Sequence, residues 1–277
     1  MKKFNVGLQL FGVRKSMAND FEGTLKAVAD MGYEYVEFAG YYGRTGEEIK
    51  SILDKYGLKC VSVHQGIEFF DEKAEERIAF LKSFGVKYNV IPWYDREYLA
   101  GTPEWENTVE KFNKLAALLE KHGMVLAYHN HEFEFEMLNG KCLHNYLFDE
   151  VTDGAFVPEF DTCWVRYAGF DPAEKIREFS GRVQIVHLKD FVAEKLGAGP
   201  AYELIDTNGE TKIPSRQAPG FFLRPLGQGM QDFAKIIEAC EESGTETLIV
   251  EQDKTYDMPE LEAARISREY LRNTFGI

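Results

Sequence analysis

Histidines and carboxylates recur at the ends of short apolar segments in this 277-residue chain, and four of its six histidines lie at such ends. Neutral imidazole and ionised carboxylate are the side chains that bind Mn²⁺, Co²⁺, Zn²⁺ or Fe²⁺ together. They also remove and return protons near neutral pH. These residue types therefore indicate metal-assisted proton transfer, if the fold brings the segment ends together. The polar residues at these ends are Gln9, Glu37, His64, Trp93, Asp95, His129, Asn130, His131, Glu132, Glu159, Asp161, His187, Lys189, Asp190, Glu251 and Asp253.

The elements that must position these residues are eight β-rich runs, each followed by a longer segment with helical spacing of apolar residues. We predict strands at residues 4–10, 35–39, 59–64, 88–92, 125–129, 155–160, 183–188 and 247–250. Strands that alternate with helices imply a parallel sheet, and eight units in a chain of this length indicate an α/β fold, the (β/α)₈ TIM barrel. An open doubly wound sheet would usually carry a glycine-rich turn after an early strand. The segment that follows the first predicted strand here, FGVRKS, does not have that pattern.

The chain shows no linker that would divide it, so we predict one TIM-barrel domain over residues 1–277. One long loop, at about residues 191–230, interrupts the alternation after the seventh strand. Loops of this length inside a domain are usually functional or disordered.

In a TIM barrel the active site lies at the C-terminal ends of the strands. Strands five to eight end in His129, Asp161, His187 and Glu251. A single histidine at a strand end is more often a packing residue, but four convergent ligand types favour a metal site. Burying the carboxylates without a cation would be costly. We therefore predict one divalent ion on these four residues, with Mn²⁺ first and Co²⁺, Mg²⁺, Zn²⁺ or Fe²⁺ as alternatives.

The formal net charge is −14, from 32 basic and 46 acidic residues. It argues against nucleic acid, which is bound largely through its phosphates, and against anionic membranes. No apolar run approaches the ~18 residues of a membrane span, and no signal peptide is recognised. The cysteines are dispersed and form no CxxC motif, so we expect reduced thiols and a cytoplasmic protein. These cysteines are Cys60, Cys142, Cys163 and Cys240.

Several longer motifs are similar to those of a known superfamily. YHNHEFEF (128–135), EFDTCWVRYAGFDP (159–172), VHLKD (186–190), PLGQG (225–229) and VEQD (250–253) resemble the xylose-isomerase-like superfamily, in its sugar phosphate isomerase/epimerase group. The resemblance covers nearly the whole chain. It implies one divalent metal held by Glu, Asp or Glu, His and Glu at the ends of strands five to eight. Asp161, His187 and Glu251 match the last three, whereas His129 stands where much of the family has Glu.

The resemblance implies a sugar isomerase or epimerase, which removes a proton beside a carbonyl and returns it through an enediolate. We expect Glu251, His129 and Lys189 to be the catalytic residues. Because His129 replaces one carboxylate of the epimerase pair, the alternative is a lyase or dehydratase. Such an enzyme would perform β-elimination on a keto-sugar, a 3-keto-glycoside or a keto-inositol, since lyases of these kinds belong to the same superfamily.

The predicted substrate is a small sugar or polyol. A sugar ring would lie on the face of Trp93. Glu159 lies deeper than Asp161 and is expected behind the ligands, while Lys189 and Asp190 could pair with each other. The resemblance is also compatible with a homo-oligomer. The net negative charge disfavours an endonuclease, which shares this barrel. A non-catalytic sugar-binding barrel is a further alternative. The expected substrate contacts are Gln9, Glu37, His64, Trp93, His131 and Asp190.

Overall fold

Eight parallel strands close into a barrel in this computed structural model, which describes residues 4–70, 72–197, 220–256 and 258–277. The predicted TIM barrel is therefore confirmed, and three strands have the predicted bounds. Neighbours around the barrel are β1, β2, β3, β4, β5, β8, β9 and β12. In chain order the strands are β1 Asn5–Gln9, β2 Tyr35–Phe38, β3 Lys59–His64, β4 Tyr88–Ile91, β5 Val125–His129, β6 Met137–Leu138, β7 Lys141–Cys142, β8 Phe156–Asp161, β9 Ile185–Leu188, β10 Asp190–Val192, β11 Phe222–Arg224 and β12 Thr247–Val250.

Helices cover the outside of the barrel, and their starts follow local capping signals. Thr45 opens one helix, because its hydroxyl accepts the Glu48 N–H at 3.2 Å while the Glu48 carboxylate accepts the Thr45 N–H at 2.8 Å. The helices are α1 Arg14–Asn19, α2 Phe21–Asp30, α3 Gly46–Tyr56, α4 Ala74–Ser83, α5 Trp105–Lys121, α6 Leu143–Glu150, α7 Thr162–Tyr167, α8 Pro172–Glu178, α9 Phe233–Ser243 and α10 Glu260–Phe275. Within the described part of the chain, none of them is long and apolar enough to cross a bilayer.

The interior of the barrel is layered, because side chains on a strand alternate between its two faces. Apolar side chains fill one layer, and polar side chains from the strand ends lie above it. Strand pairing aligns the polar layer: His129 is in register with Glu159, and Asp161 with His187. The apolar layer contains Val61, Tyr88, Val90, Ala127, Ile185 and Ile249.

Two connections differ from the predicted loops. The long segment after the seventh barrel strand begins and ends in an antiparallel ribbon of β10 and β11, and residues 198–219 lie outside the described residues. The segment after β5 contains a second ribbon of β6 and β7 before α6. Helix α7 was not predicted, although Asp161 is a good N-cap whose Oδ1 accepts the Cys163 N–H at 2.8 Å.

Candidate metal centre

The four predicted ligands meet at the C-terminal mouth of the barrel. Ligand atoms of His129, Asp161, His187 and Glu251 all lie within 4.8 Å of one another. All four residues are buried, with at most 4% of their surface exposed. The structure thus brings together, from four adjacent strands, the two imidazoles and two carboxylates that the sequence singles out.

Each histidine of this set turns its two ring nitrogens toward different carboxylates. His129 Nε2 lies 3.6 Å from Asp161 Oδ2, while its Nδ1 lies 3.3 Å from Glu159 Oε2. His187 Nδ1 lies 2.9 Å from Glu251 Oε2, while its Nε2 lies 2.9 Å from Glu37 Oε1. One nitrogen of each ring therefore faces the four-residue set, and the other faces a carboxylate beneath it.

A lower layer of hydrogen bonds holds those two deeper carboxylates. His64 Nε2 lies 3.0 Å from Glu37 Oε1 and 2.8 Å from Glu159 Oε2, so it bridges the pair. Gln9 Nε2 donates to Glu37 Oε1 at 2.6 Å, and the Ser62 hydroxyl donates to Glu37 Oε2. Burial alone would lower the pKa of His64, but the two carboxylates raise it to about 10.

Three residues that were expected to contact substrate lie in this lower layer. Gln9 and Glu37 were expected to contact substrate, yet both are 0% exposed and bond to each other inside the barrel. His64 has 8% of its side chain exposed and bonds to Glu37 and Glu159. A strand-end position does not specify how deep the side chain lies. Glu159 lies behind the ligands, as expected, in contact with both His129 and His187.

The upper set fits a divalent ion better than the lower one does. His64, His129, Glu159 and His187 also place ligand atoms within 4.8 Å, but this lower set offers one carboxylate where the upper set offers two. Burial holds the pKa of His129 well below its usual range, so this ring is neutral, as a ligand must be. Burial alone would also lower the pKa of His187, but the carboxylates around it raise that pKa, so a bound ion would have to displace its proton. The second nitrogen of His129 remains on a carboxylate, the arrangement that usually orients a metal-bound histidine.

Lys189 supplies a positive charge beside the upper set. Its ammonium is buried and lies 2.9 Å from Asp161 Oδ2, 2.8 Å from Glu251 Oε2 and 3.0 Å from Asp253 Oδ2. Burial alone would lower the pKa of Lys189, but the carboxylates raise it well above its usual range. Lys189 therefore holds a proton next to the candidate ligands. Asp253 was not among the predicted site residues, although its spacing of two from Glu251 was the available signal.

Asp190 does not pair with Lys189, because its carboxylate is engaged by backbone N–H groups. Oδ2 accepts from Gly227 and Gly229, both at 2.9 Å, and Oδ1 accepts from Phe191 at 2.9 Å and Gln231 at 3.2 Å. A Cβ added at Gly229 would lie 2.1 Å from Asp190 Oδ1. Asp190 therefore joins the two ends of the long loop, and Gly229 allows the close approach because it has no Cβ.

Aromatic rings border the site above β4 and β5. The Trp93 ring is partly exposed and lies 4.7 Å from the His131 ring, which lies 5.2 Å from that of His129. The Trp93 indole N–H donates to Asp95 Oδ1 at 2.6 Å. Trp93 and His131 thus lie next to a candidate ligand, where the predicted contacts with a sugar ring would be made.

Glu134 holds the loop that carries these rings. Its Oε1 accepts the Tyr128 hydroxyl at 2.7 Å, and its Oε2 accepts the His131 N–H at 2.8 Å. Glu134 is 0% exposed, and burial raises its pKa to about 8. The Glu134 carboxyl group is therefore protonated at neutral pH, and it positions His131 without adding a negative charge.

Comparison with known proteins agrees with this architecture. A family model described as xylose isomerase-like TIM barrel matches residues 25–274. The inosose dehydratase of Clostridium perfringens is 26% identical over 277 residues, covering 92% of this chain and 90% of that protein. A sugar phosphate isomerase/epimerase from Parabacteroides distasonis superposes with a TM-score of 0.77 at 20% identity, covering 99% and 96% of the two chains. The IOLI protein, solved with a zinc atom, superposes with a TM-score of 0.71 at 16% identity, covering 97% of each chain.

Removing one upper carboxylate should abolish tight metal binding. We expect Asp161→Asn to weaken Mn²⁺ binding by at least about a hundredfold, because a neutral amide replaces a charged ligand while the α7 cap is kept. Titration of chelator-treated protein, followed by calorimetry and metal analysis, measures this. The matched control is Asp153→Asn, at an exposed position before β8. Equal Mn²⁺ affinity in D161N and D153N would refute the ligand assignment.

The lower carboxylates should affect the affinity for Mn²⁺ although they do not contact the ion. Glu37→Gln leaves a hydrogen-bonding group beside His187 but removes the charge, so we expect Mn²⁺ affinity to fall about 10–100-fold. Glu134→Gln is the control for placing an amide at a buried carboxyl position, and its Mn²⁺ affinity should match that of the unaltered protein. If E37Q bound Mn²⁺ normally, Glu37 would not orient His187.

Ionisation of Glu134 should destabilise the fold as the pH rises. The unfolded side chain ionises near pH 4.5 and the folded one near pH 8, so this stabilisation is complete below pH 4.5 and is lost as the pH rises through 8. Relative to the unaltered protein, Glu134→Gln should gain on the order of 4 kcal/mol across that range. Urea denaturation at several pH values tests this, with exposed Glu106→Gln as the control. A difference that does not change with pH would contradict the assignment.

Proposed function

The chain belongs to the xylose isomerase-like TIM barrel family of enzymes, and from this premise we propose that it is a divalent-metal-dependent lyase. It would remove a leaving group β to the carbonyl of a keto-sugar, a 3-keto-glycoside or a keto-inositol. The observation that carries the proposal is the ammonium of Lys189 within 3.0 Å of Asp161, Glu251 and Asp253, beside an imidazole at the position of the family's first carboxylate. Curated relatives named inosose dehydratase support a lyase over the isomerase or epimerase that the motifs first favour.

The ion would be held by His129, Asp161, His187 and Glu251, which offer two nitrogen and two oxygen ligands. When bound, it polarises the substrate carbonyl and stabilises the oxyanion that forms on proton loss. We keep Mn²⁺ as the expected metal. The zinc atom in the IOLI protein supports Zn²⁺ as the first alternative.

Proton transfer would fall to two neighbouring side chains. Burial alone would raise the pKa of Glu251, but Lys189 and His187 hold it well below its usual range, so the carboxylate is ionised. Glu251 would accept the proton from the carbon beside the carbonyl. Lys189 would donate its proton to the leaving oxygen as the carbon–oxygen bond breaks. His129 Nε2 faces Asp161 and serves as a ligand here, so the catalytic role expected of His129 would require it to leave the ion.

Binding of the sugar would involve the rings at the mouth. The His131 ring lies between those of Trp93 and His129 in a chain of ring contacts, and a small polyol could rest on the aromatic face of Trp93. We further infer a cytoplasmic setting from four buried, free cysteines. We also propose that the chain associates into a homo-oligomer.

Product analysis in D₂O should separate elimination from epimerisation. With Mn²⁺-loaded enzyme we expect NMR signals of an unsaturated product from an inosose, and of an unsaturated product and the free aglycone from a 3-keto-glucoside. Glu251→Gln should lower this rate by about 10²–10⁴-fold, the usual contribution of a general base. Glu246→Gln, exposed just before β12, is the matched control. A deuterated stereoisomer without an unsaturated product would establish the epimerase instead.

A further inference from the structure

A cavity of about 180 Å³ opens beside the candidate metal centre, between the segments that follow β1 and β12. Its volume is several times the ~30 Å³ that one water molecule occupies in the liquid. Asp253 forms part of its wall and contacts Lys189, the residue whose ammonium lies beside the candidate ligands. The lining residues are Gly12, Arg14, Lys15, Asp253, Lys254, Thr255, Tyr256 and Glu260.

Both carboxylates of the lining are already engaged. Asp253 Oδ2 lies 3.0 Å from the Lys189 ammonium. Glu260 Oε2 accepts the Ser16 N–H at 3.0 Å and the Ser16 hydroxyl at 3.1 Å. Lys189 thus offsets the charge of Asp253, whereas Glu260 keeps its charge and forms no ion pair with Arg14 or Lys15.

Arg14 is held in place, and among the described residues neither it nor Lys15 has an acidic partner. Arg14 Nη1 donates to the carbonyls of Phe11 at 2.8 Å and Asp253 at 2.9 Å, and its guanidinium lies 4.1 Å from the Phe11 ring centroid. Among the described residues neither Arg14 nor Lys15 forms an ion pair, and Arg14 Nε has no hydrogen-bond partner. A fixed guanidinium with unused donors is suited to a carboxylate or phosphate.

We propose that this cavity binds an anionic group, a phosphate or a carboxylate, through Arg14 and Lys15. Three basic residues line it against two engaged acids, in a chain whose formal net charge is −14. The cavity is thus a local exception to the acidic character of the chain. Because Arg14 also bonds to the carbonyl of Asp253, an anion bound there would contact the segment that carries Glu251 and Asp253. The anion is either a substituent of the sugar or a separate ion.

Titration of the Mn²⁺-loaded protein with inorganic phosphate, at constant ionic strength, tests the proposal by calorimetry. We expect saturable binding that Arg14→Gln and Lys15→Gln each weaken by about tenfold, since each removes one charged contact. Lys15 is exposed, so its substitution leaves the fold intact even if that of Arg14 does not. Lys114→Gln, an equal change of charge on exposed α5, should leave phosphate affinity unaltered.

Asp161→Asn separates this cavity from the metal centre, because phosphate could also bind an ion. Phosphate binding that persists in D161N supports the cavity, and binding lost only in D161N overturns the proposal. Unchanged affinity in both R14Q and K15Q also overturns it. Glucose 6-phosphate then identifies the source: displacement of phosphate by the sugar phosphate but not by glucose indicates a substrate substituent, whereas displacement no stronger than by phosphate itself indicates a free anion. Either result supports the anion site and is independent of the lyase reaction.

Discussion

The candidate site depends on two imidazoles that each lie between two carboxylates. His187 has Glu251 at Nδ1 and Glu37 at Nε2, both at 2.9 Å. A neutral imidazole can offer a lone pair on only one nitrogen, so a hydrogen bond from the other nitrogen decides which one is the ligand. His129 repeats the pattern between Asp161 and Glu159. The lower carboxylates therefore determine the direction in which both rings present their lone pairs.

Strand register explains how a chain without repeats achieves this arrangement. Parallel pairing places His129 beside Glu159 and Asp161 beside His187, and inward-facing residues two apart on β8 supply one carboxylate to each layer. A shift of one residue would turn these side chains out of the barrel. The two polar layers therefore form only when the barrel closes in this register. The apolar layer packs beneath them.

Sequence patterns predicted the barrel and the four residues that converge at its mouth, because strand alternation and the strand-end rule need only local information. Depth was not predictable in the same way. The pairing of β2 with β3 shifts register between Val36 and Glu37, and Glu37 lies beneath the ligands. Likewise, the contacts of Asp190 depend on a ribbon whose second strand begins about thirty residues later. Contacts between segments so far apart in the chain leave little signal in the residues next to Asp190.

Charge explains why an imidazole at position 129 bears on the chemistry. A ligand set with three carboxylates offers proton acceptors on both sides of a substrate, as an epimerase needs. Here the upper set has two carboxylates, and Lys189 brings an ammonium into contact with both. Burial of the five acids Glu37, Glu159, Asp161, Glu251 and Asp253 would be costly without compensating cations. The ammonium of Lys189 offsets part of this cost, and in the proposed elimination it would also supply the proton that the leaving oxygen needs.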